Sequence, residues 1–239
     1  MTTMTKLLGA AAAIAMFAGA AQAADYSAPD SPSWTGGYIG VVGGYGWGDS
    51  DFDADTVLPA PSDPVSGSID VEGFLLGAQA GYDFDIGNGL VLGVAGDMSW
   101  SGIDGDTCVE DGGCDGSPDD SFASADVNWL ATVRARAGFT TGSMLIYGTG
   151  GLAIADADAS ITNVEGLGDP TRSDSNTHFG WVIGAGAEFK VTENMSLGAE
   201  YLHVDLGSEE YSFPGPNVGI ASDSDLTLDI VRASLNYRF

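Results

Sequence analysis

The part of the sequence that most constrains the fold is the end of the chain, where side chains alternate between two faces. From residue 231 onward, every second residue is apolar: Val231, Ala233, Leu235, Tyr237 and Phe239. A period of two is typical of a strand with one apolar and one polar face. A soluble sheet can have the same pattern, but terminal aromatics on the apolar face are typical of a strand that ends at a membrane interface. The pattern therefore favours a transmembrane β-barrel that residues 226–239 close.

Similar alternation recurs along the chain and predicts seven earlier strands, at residues 34–47, 71–84, 90–100, 126–139, 144–155, 178–190 and 195–206. The fifth strand is apolar on both faces, so its pattern does not orient it. In the fourth strand, the alternation places Val127 and Trp129 on the apolar face. The sequence I-G-N-G after the second strand accepts the positive φ angles of a tight hairpin.

Three tight turns alternate with four long segments, residues 48–70, 101–125, 156–177 and 207–225. Short connections on one rim and long ones on the other are the pattern of outer-membrane barrels. The sequence therefore predicts an all-β fold: an eight-stranded antiparallel up-and-down transmembrane β-barrel with short periplasmic turns and four long extracellular loops.

The N-terminus has the features of an export signal. Lys6 is the only charged residue before Asp25, residues 7–20 are apolar, and Ala21-Gln22-Ala23 is a small-x-small cleavage pattern. A membrane anchor is the alternative, but the apolar run is shorter than the ~20 residues that span a bilayer. We therefore predict a signal peptide (1–23), a leader (24–33) and a barrel domain (34–239) in the outer membrane of a Gram-negative bacterium.

Charge is divided between the segments. The formal net charge is −27, and the four long segments hold 22 acidic residues and one basic residue, Arg172. No basic patch is available for nucleic acid, which excludes that partner. The basic residues of the predicted strands all lie on the face opposite the aromatics, which the barrel geometry turns inward. A charge facing lipid would cost about 2–4 kcal/mol near the midplane. Asp229 breaks this rule, and we expect it at the outer rim.

These inward charges predict an ion-pair core, because an eight-stranded barrel is narrow enough to be filled by its own side chains. An unpaired charge there would be costly. We therefore expect Arg134, Arg136 and Arg232 to pair with Glu188, Glu200 and Asp97. Inward glycines such as Gly81 and Gly186 leave room for these long side chains.

Two cysteines, Cys108 and Cys114, lie in C-V-E-D-G-G-C. In an oxidising compartment this spacing can close a small disulfide loop, whereas two ligands alone make a poor zinc site. No serine accompanies His203-Val204-Asp205 as a nucleophile, and the sequence predicts neither an enzyme nor a bound cofactor.

Several segments together resemble the small outer-membrane β-barrel surface-antigen family of alphaproteobacteria, related to the OmpA-type transmembrane domain. They are W-T-G-G-Y-I-G, G-V-A-G-D-M-S-W, N-W-L-A-T-V-R-A-R-A-G, Y-G-T-G-G-L-A, G-A-G-A-E-F, L-G-A-E-Y-L-H-V-D-L-G and V-R-A-S-L-N-Y-R-F. The resemblance implies a role in envelope integrity, with porin-like or heme-binding relatives. It also implies that the barrel-assembly machinery recognises the last strand, with Tyr237 and Phe239 as its signal.

The first functional hypothesis is a structural barrel in contact with outer-membrane lipid and lipopolysaccharide, with acidic loops that divalent cations could bridge to phosphates. The alternatives are a narrow porin-like channel and a surface-binding protein for adhesion or heme capture. For heme, the candidates are His178, expected near the outer rim, and His203, expected in the interfacial girdle.

Overall fold

The computed structural model describes residues 33–56, 65–108, 122–162, 171–214 and 219–239, which form eight β-strands. The strands are β1 (Gly36–Thr56), β2 (Val65–Gly87), β3 (Leu90–Cys108), β4 (Phe122–Thr141), β5 (Met144–Thr162), β6 (Thr171–Lys190), β7 (Met195–Pro214) and β8 (Gly219–Arg238). The predicted signal peptide, and the predicted leader except for Ser33, lie outside the described residues. Within the described ranges, no helix has the length and apolar character needed to cross a bilayer.

Each strand pairs antiparallel with the next, and β1 also pairs with β8, so the sheet closes into a barrel. This confirms the predicted fold class. The turns after β2, β4 and β6 lie at one end, which we call the turn end; the opposite end is the loop end. Asn88 and Gly89 have φ angles of 55° and 78°, the left-handed conformation that a two-residue hairpin requires.

In the turn-end half, the strands are apolar outside and polar inside. In β8, Leu235 and Tyr237 are exposed on the outer face, as is Phe239 directly after the strand, while Arg232 and Arg238 are buried in the barrel. The outward apolar residues of β2 run from Phe74 to Ile86. Tilted strands of about 9–11 residues cross the apolar part of a bilayer. This half therefore has the polarity and height of a membrane-spanning barrel.

In the loop-end half, the polarity of the same strands is reversed. In β8, Leu228 and Ile230 are buried inside, while Asp225 is exposed outside. The inward side chains of this half form one apolar cluster: Ile69, Val71, Leu75, Ile103, Ala123, Val127, Leu130, Ala153, Ala155, Ala157, Val182, Leu202, Val204, Leu206, Leu226, Leu228 and Ile230. An apolar interior with a polar exterior is the arrangement of a water-soluble barrel. The strands therefore continue beyond the bilayer.

The strands are longer than predicted, because the predicted strands end where this polarity reverses. The ladder between β1 and β2, for example, runs on through Asp49↔Asp70 to Ala54↔Val65, inside the segment predicted as residues 48–70. The outward apolar pattern stops at the membrane boundary, whereas the backbone pairing continues with the polarity inverted. The connections outside the described residues are 57–64, 109–121, 163–170 and 215–218.

The structure corrects the predicted orientation of one residue in β4 and gives β5 the orientation that the sequence did not. A β-bulge between Val127 and Trp129 shifts the register of β4, so Val127 is buried inside and not on the outer face as predicted. Strand β5, which the sequence did not orient, places Leu145 and Tyr147 inside and Leu152 outside.

Aromatic side chains bound the apolar outer belt at both of its edges. The loop-side rim contains Tyr45, Trp47, Phe74, Trp100, Trp129, Phe179, Trp181 and Tyr201, and the turn-side rim contains Tyr82, Phe84, Phe139, Phe189, Tyr237 and Phe239. Small residues lie between the rims, paired across neighbouring strands as Gly43↔Ala233 and Ala233↔Ala199. Aromatic residues at these two heights are typical of membrane interfaces.

Candidate functional site

The inside of the turn-end half contains two closed sets of ion pairs. The first set, the loop-side tetrad, joins Asp97 of β3, Arg134 of β4, Glu200 of β7 and Arg232 of β8. Arg134 lies 3.0 Å from Asp97 and 2.7 Å from Glu200. Arg232 lies 2.6 Å from Asp97 and 2.7 Å from Glu200. Each arginine thus contacts both carboxylates, and four strands are tied together across the lumen.

The second set, the turn-side tetrad, repeats this arrangement with Asp83 of β2, Arg136 of β4, Glu188 of β6 and Arg238 of β8. Arg136 contacts Asp83 and lies 3.2 Å from Glu188. Arg238 lies 2.9 Å from Asp83 and 2.7 Å from Glu188. The two tetrads together contain four positive and four negative groups, so the charges balance.

Neutral side chains add hydrogen bonds to two of the four carboxylates, Asp97 and Glu188. The Thr132 hydroxyl donates to Asp97, and the amide of Asn236 donates to Glu188 at 3.2 Å. Ser196 donates to the same oxygen of Glu188 at 2.5 Å. Buried charges are tolerated when they are both paired and hydrogen-bonded. The network therefore meets the condition for burial.

Aromatic rings cover the turn-side tetrad. The guanidinium of Arg238 lies 4.6 Å from the ring centre of Trp34 and 4.9 Å from that of Tyr38. Arg136 lies 4.8 Å from the Tyr38 ring and 5.0 Å from the Tyr147 ring. These are cation–π distances. Trp34, only 1% exposed, packs with Val91, Leu145 and Tyr147 and closes the lumen below the tetrads.

Glycine makes room for these side chains at specific inward positions. A Cβ atom on Gly186 would lie 2.6 Å from the Tyr147 hydroxyl, and one on Gly93 would lie 3.2 Å from Cγ of Arg136. A larger residue at either position would displace the groups that pack around the turn-side tetrad.

The structure brings together the six residues of the predicted ion-pair core, in two groups. Asp97, Arg134, Glu200 and Arg232 form the loop-side tetrad, while Arg136 and Glu188 lie in the turn-side tetrad. The sequence prediction missed Asp83 and Arg238. Their signal was available, since Asp83 lies between the outward Tyr82 and Phe84, and Arg238 between Tyr237 and Phe239.

The two histidines lie on opposite sides of the barrel wall. His178, expected near the outer rim, lies next to the loop-side rim residue Phe179, and its side chain is 1% exposed and faces the barrel interior. His203 is on the outer face, where its Nδ1 lies 2.8 Å from Asp229. The two imidazoles therefore cannot ligate one heme. Asp229 is at the loop-side rim, where it also accepts a hydrogen bond of 2.6 Å from Tyr201.

The remaining predicted residues lie away from the lumen. Tyr237 and Phe239 are exposed on the outer face of the turn-side rim, 52% and 71% respectively. Cys108 ends β3 at the loop end, and Cys114 lies outside the described residues, so their disulfide stays a prediction. Within the described part of the chain, no three His, Cys, Asp or Glu side chains are grouped to hold a metal ion.

A closed eight-stranded barrel with an apolar outer belt between two aromatic rims defines the class of outer-membrane β-barrels. A family model for the outer membrane protein beta-barrel domain matches residues 9–239. The chain belongs to this family. The turn end therefore faces the periplasm, and the loop end faces the outside of the cell.

Relatives of similar length are outer-membrane proteins of alphaproteobacteria. The 31 kDa outer-membrane immunogenic protein of Brucella melitensis is 37% identical, over 94% of this chain and 96% of the relative. The 25 kDa outer-membrane immunogenic protein of Brucella abortus is 31% identical over 100% of both chains. The 22 kDa outer membrane protein of Rhizobium leguminosarum is 33% identical, over 77% of this chain and 71% of the relative.

Solved structures similar to this chain include a surface protein and an outer-membrane protein. Neisserial surface protein A is 18% identical, with 86% of this chain and 98% of that chain covered and a TM-score of 0.41. OprG of Pseudomonas aeruginosa is 13% identical, with 88% and 99% covered and a TM-score of 0.49.

Proposed function

We propose that the protein is a structural, non-conducting barrel that reinforces the outer membrane. The observation that carries this proposal is a lumen filled at three successive heights. Trp34, Val91, Leu145 and Tyr147 pack at the periplasmic end, the two tetrads fill the middle, and the apolar cluster fills the cell-surface half.

These layers oppose a water path for different reasons. To open the tetrads, paired charges inside a narrow barrel must separate, and removing one partner of a buried pair costs about 3–5 kcal/mol. To open the cell-surface half, buried side chains such as Leu202 and Leu228, both 0% exposed, must meet water. A solute that passed one layer would still meet the next.

Planar-bilayer recording of the purified protein tests the absence of conduction. We expect no reproducible unitary steps from samples whose folded fraction is verified by the heat-modifiable gel shift of intact barrels. Steps of uniform size that scale with the folded fraction would reject the closed barrel in favour of the porin-like channel.

The reinforcing role is tested in cells. A deletion strain should lose resistance to detergent, and the wild-type gene should restore it. If the protein does not conduct but its deletion leaves detergent resistance unchanged, the closed barrel stands and the reinforcing role is rejected.

A second candidate function, capture of cationic partners at the cell surface, is favoured by the outer face of the loop-end half. Acidic side chains such as Asp70, Glu72, Asp104 and Asp106 are exposed there. Charge of one sign attracts a partner of opposite sign over about one Debye length. Whole cells should bind a basic peptide more than the deletion strain does, and added salt should abolish the difference.

We further propose that outer-membrane lipid and lipopolysaccharide cover the apolar belt, and that the barrel-assembly machinery recognises β8 through Tyr237 and Phe239. The exposed aromatic side chains at the end of β8 support this assignment, because a free strand end is accessible before the barrel closes.

A further inference from the structure

Three polar side chains are joined on the outer face, where the apolar belt meets the extracellular half. Asp229 of β8 accepts a hydrogen bond of 2.6 Å from the Tyr201 hydroxyl through Oδ1. The same oxygen lies 2.8 Å from Nδ1 of His203. About a third of the side chains of His203 and Asp229 is exposed, 35% and 32%. We call these three residues the rim cluster.

Aromatic and acidic neighbours surround the rim cluster. The indole of Trp181 lies 5.7 Å from the imidazole of His203, centre to centre. Trp47 is the register partner of Asp229 on β1, and Trp181 is the register partner of Asp205 on β7. The cluster therefore lies between two indoles and beside a second carboxylate, at the depth of lipid headgroups.

The hydrogen bonds inside the cluster direct the Tyr201 hydroxyl and Nδ1 of His203 at the Asp229 carboxylate. Because ionised Asp229 can only accept, Nδ1 of His203 must carry the proton that lies between them. The Tyr201 hydroxyl proton is also directed at Asp229. What the cluster presents outward is the second carboxylate oxygen of Asp229, with an indole on either side of it. These groups attract a positively charged ligand.

We propose that the rim cluster, with Trp47 and Trp181, binds the ammonium headgroup of a lipid in the outer leaflet of the outer membrane. An indole face and a carboxylate together are the usual chemistry for an organic ammonium. A phosphate-led interaction is opposed because no lysine or arginine lies among the described side chains of the outer face around the cluster. An ammonium ion needs no fixed set of ligands, unlike a metal ion, for which the described residues provide no group.

The opposite rim provides the internal comparison. Phe84, Phe139, Phe189 and Phe239 lie there without a tyrosine–histidine–carboxylate cluster such as the one formed by Tyr201, His203 and Asp229. Phe189 is on the same strand and the same outer face as Trp181, with 52% exposure against 47%. A lipid that needs only an aromatic interface would use both rims, whereas an ammonium headgroup should prefer the rim cluster.

The test is lipid retention by the whole folded protein. Mature protein in nanodiscs of phosphatidylglycerol and phosphatidylcholine is released into the gas phase, and the lipids that stay bound are counted by native mass spectrometry. The wild type should retain phosphatidylcholine about five- to tenfold more than phosphatidylglycerol after correction for composition, as expected for a partly desolvated cation–π contact. Asp229→Asn and Trp181→Leu should each remove most of this preference.

Two matched variants separate the site from general effects of charge and ring removal. Asp106→Asn removes the same charge from the outer face at a distance from the cluster, and Phe189→Leu removes a ring from the opposite rim. Both should keep the preference. The proposal is overturned if the wild type shows no preference, or if Asp106→Asn lowers it as much as Asp229→Asn. All variants are compared at equal folded fraction by gel shift.

Discussion

The turn-side tetrad makes a quantitative prediction about the Glu188 carboxylate. Glu188 is 2.7 Å from Arg238 and 3.2 Å from Arg136. Glu188→Gln keeps the shape and the hydrogen bonds with Ser196 and Asn236, but leaves two arginines facing only Asp83. An uncompensated buried charge of this kind costs about 3–5 kcal/mol. We expect the free energy of unfolding, from urea titration in detergent micelles followed by tryptophan fluorescence, to fall by that amount.

A double-mutant cycle shows whether that loss comes from charge imbalance. Arg136→Met alone should also cost about 3–5 kcal/mol, but combined with Glu188→Gln it leaves the balanced pair Arg238–Asp83, and the double variant should be no less stable than either single one. Arg134→Met belongs to the other tetrad, so its effect should add to that of Glu188→Gln. We expect the Arg134 cycle to be additive to within about 0.5 kcal/mol. If the Arg136 cycle is additive to the same degree, the tetrads are not coupled units.

Three further predictions concern the apolar cluster, the extracellular face and assembly. Leu202→Ala should lower the free energy of unfolding by about 2–5 kcal/mol without producing conductance, which bilayer recording would check. Burial, together with the like charges of Asp104 and Asp158, raises the pKa of Asp126 in the folded protein. Because the folded state binds this proton more tightly than the unfolded state does, the free energy of unfolding falls as the pH rises from the unfolded-state pKa through the folded-state pKa. Asp126→Asn should therefore raise the free energy of unfolding by roughly 0.5 kcal/mol at neutral pH and slow proteolysis of the extracellular half at that pH. At an acidic pH where Asp126 is already protonated, the substitution should give no gain, and an equal gain at the neutral and the acidic pH would contradict this prediction. Removal of Phe239 should reduce outer-membrane levels more than it lowers the urea midpoint of the assembled barrel, and unchanged levels would argue against an assembly role.

The strands and most of the inward charges of the membrane-spanning half could be predicted from the sequence, because a single rule sets the polarity of each face. Lipid outside forces apolar residues outward, so alternation identifies both the strands and the inward charges. The rule would also have found Asp83 and Arg238, had it been applied to every inward polar residue. It cannot show that the charges form two separate tetrads, because grouping depends on how eight registers combine around the barrel.

The extracellular half was harder to predict because its environment is reversed. There, water surrounds the barrel, so the outward residues are polar and the inward residues are apolar. Asp70 and Glu72 therefore continue the outward positions of β2 that Phe74 begins in the membrane-spanning half. Leu226, Leu228 and Ile230 already had the inward parity of Arg232, and reading polarity together with parity would have shown that the interior of β8 becomes apolar towards the loop end. The bulge that turns Val127 inward has no comparable signal, because it changes the parity itself.

The extracellular half also determines what an antibody can recognise. Its described outer surface consists of adjacent strands, with acidic side chains from β2, β3, β4 and β5 brought side by side through Glu72↔Asp104, Asp104↔Asp126 and Asp126↔Asp158. An antibody that binds this wall contacts residues far apart in the sequence, which only the closed barrel brings together. Such epitopes are lost on boiling, and linear peptides from any single strand cannot reproduce them.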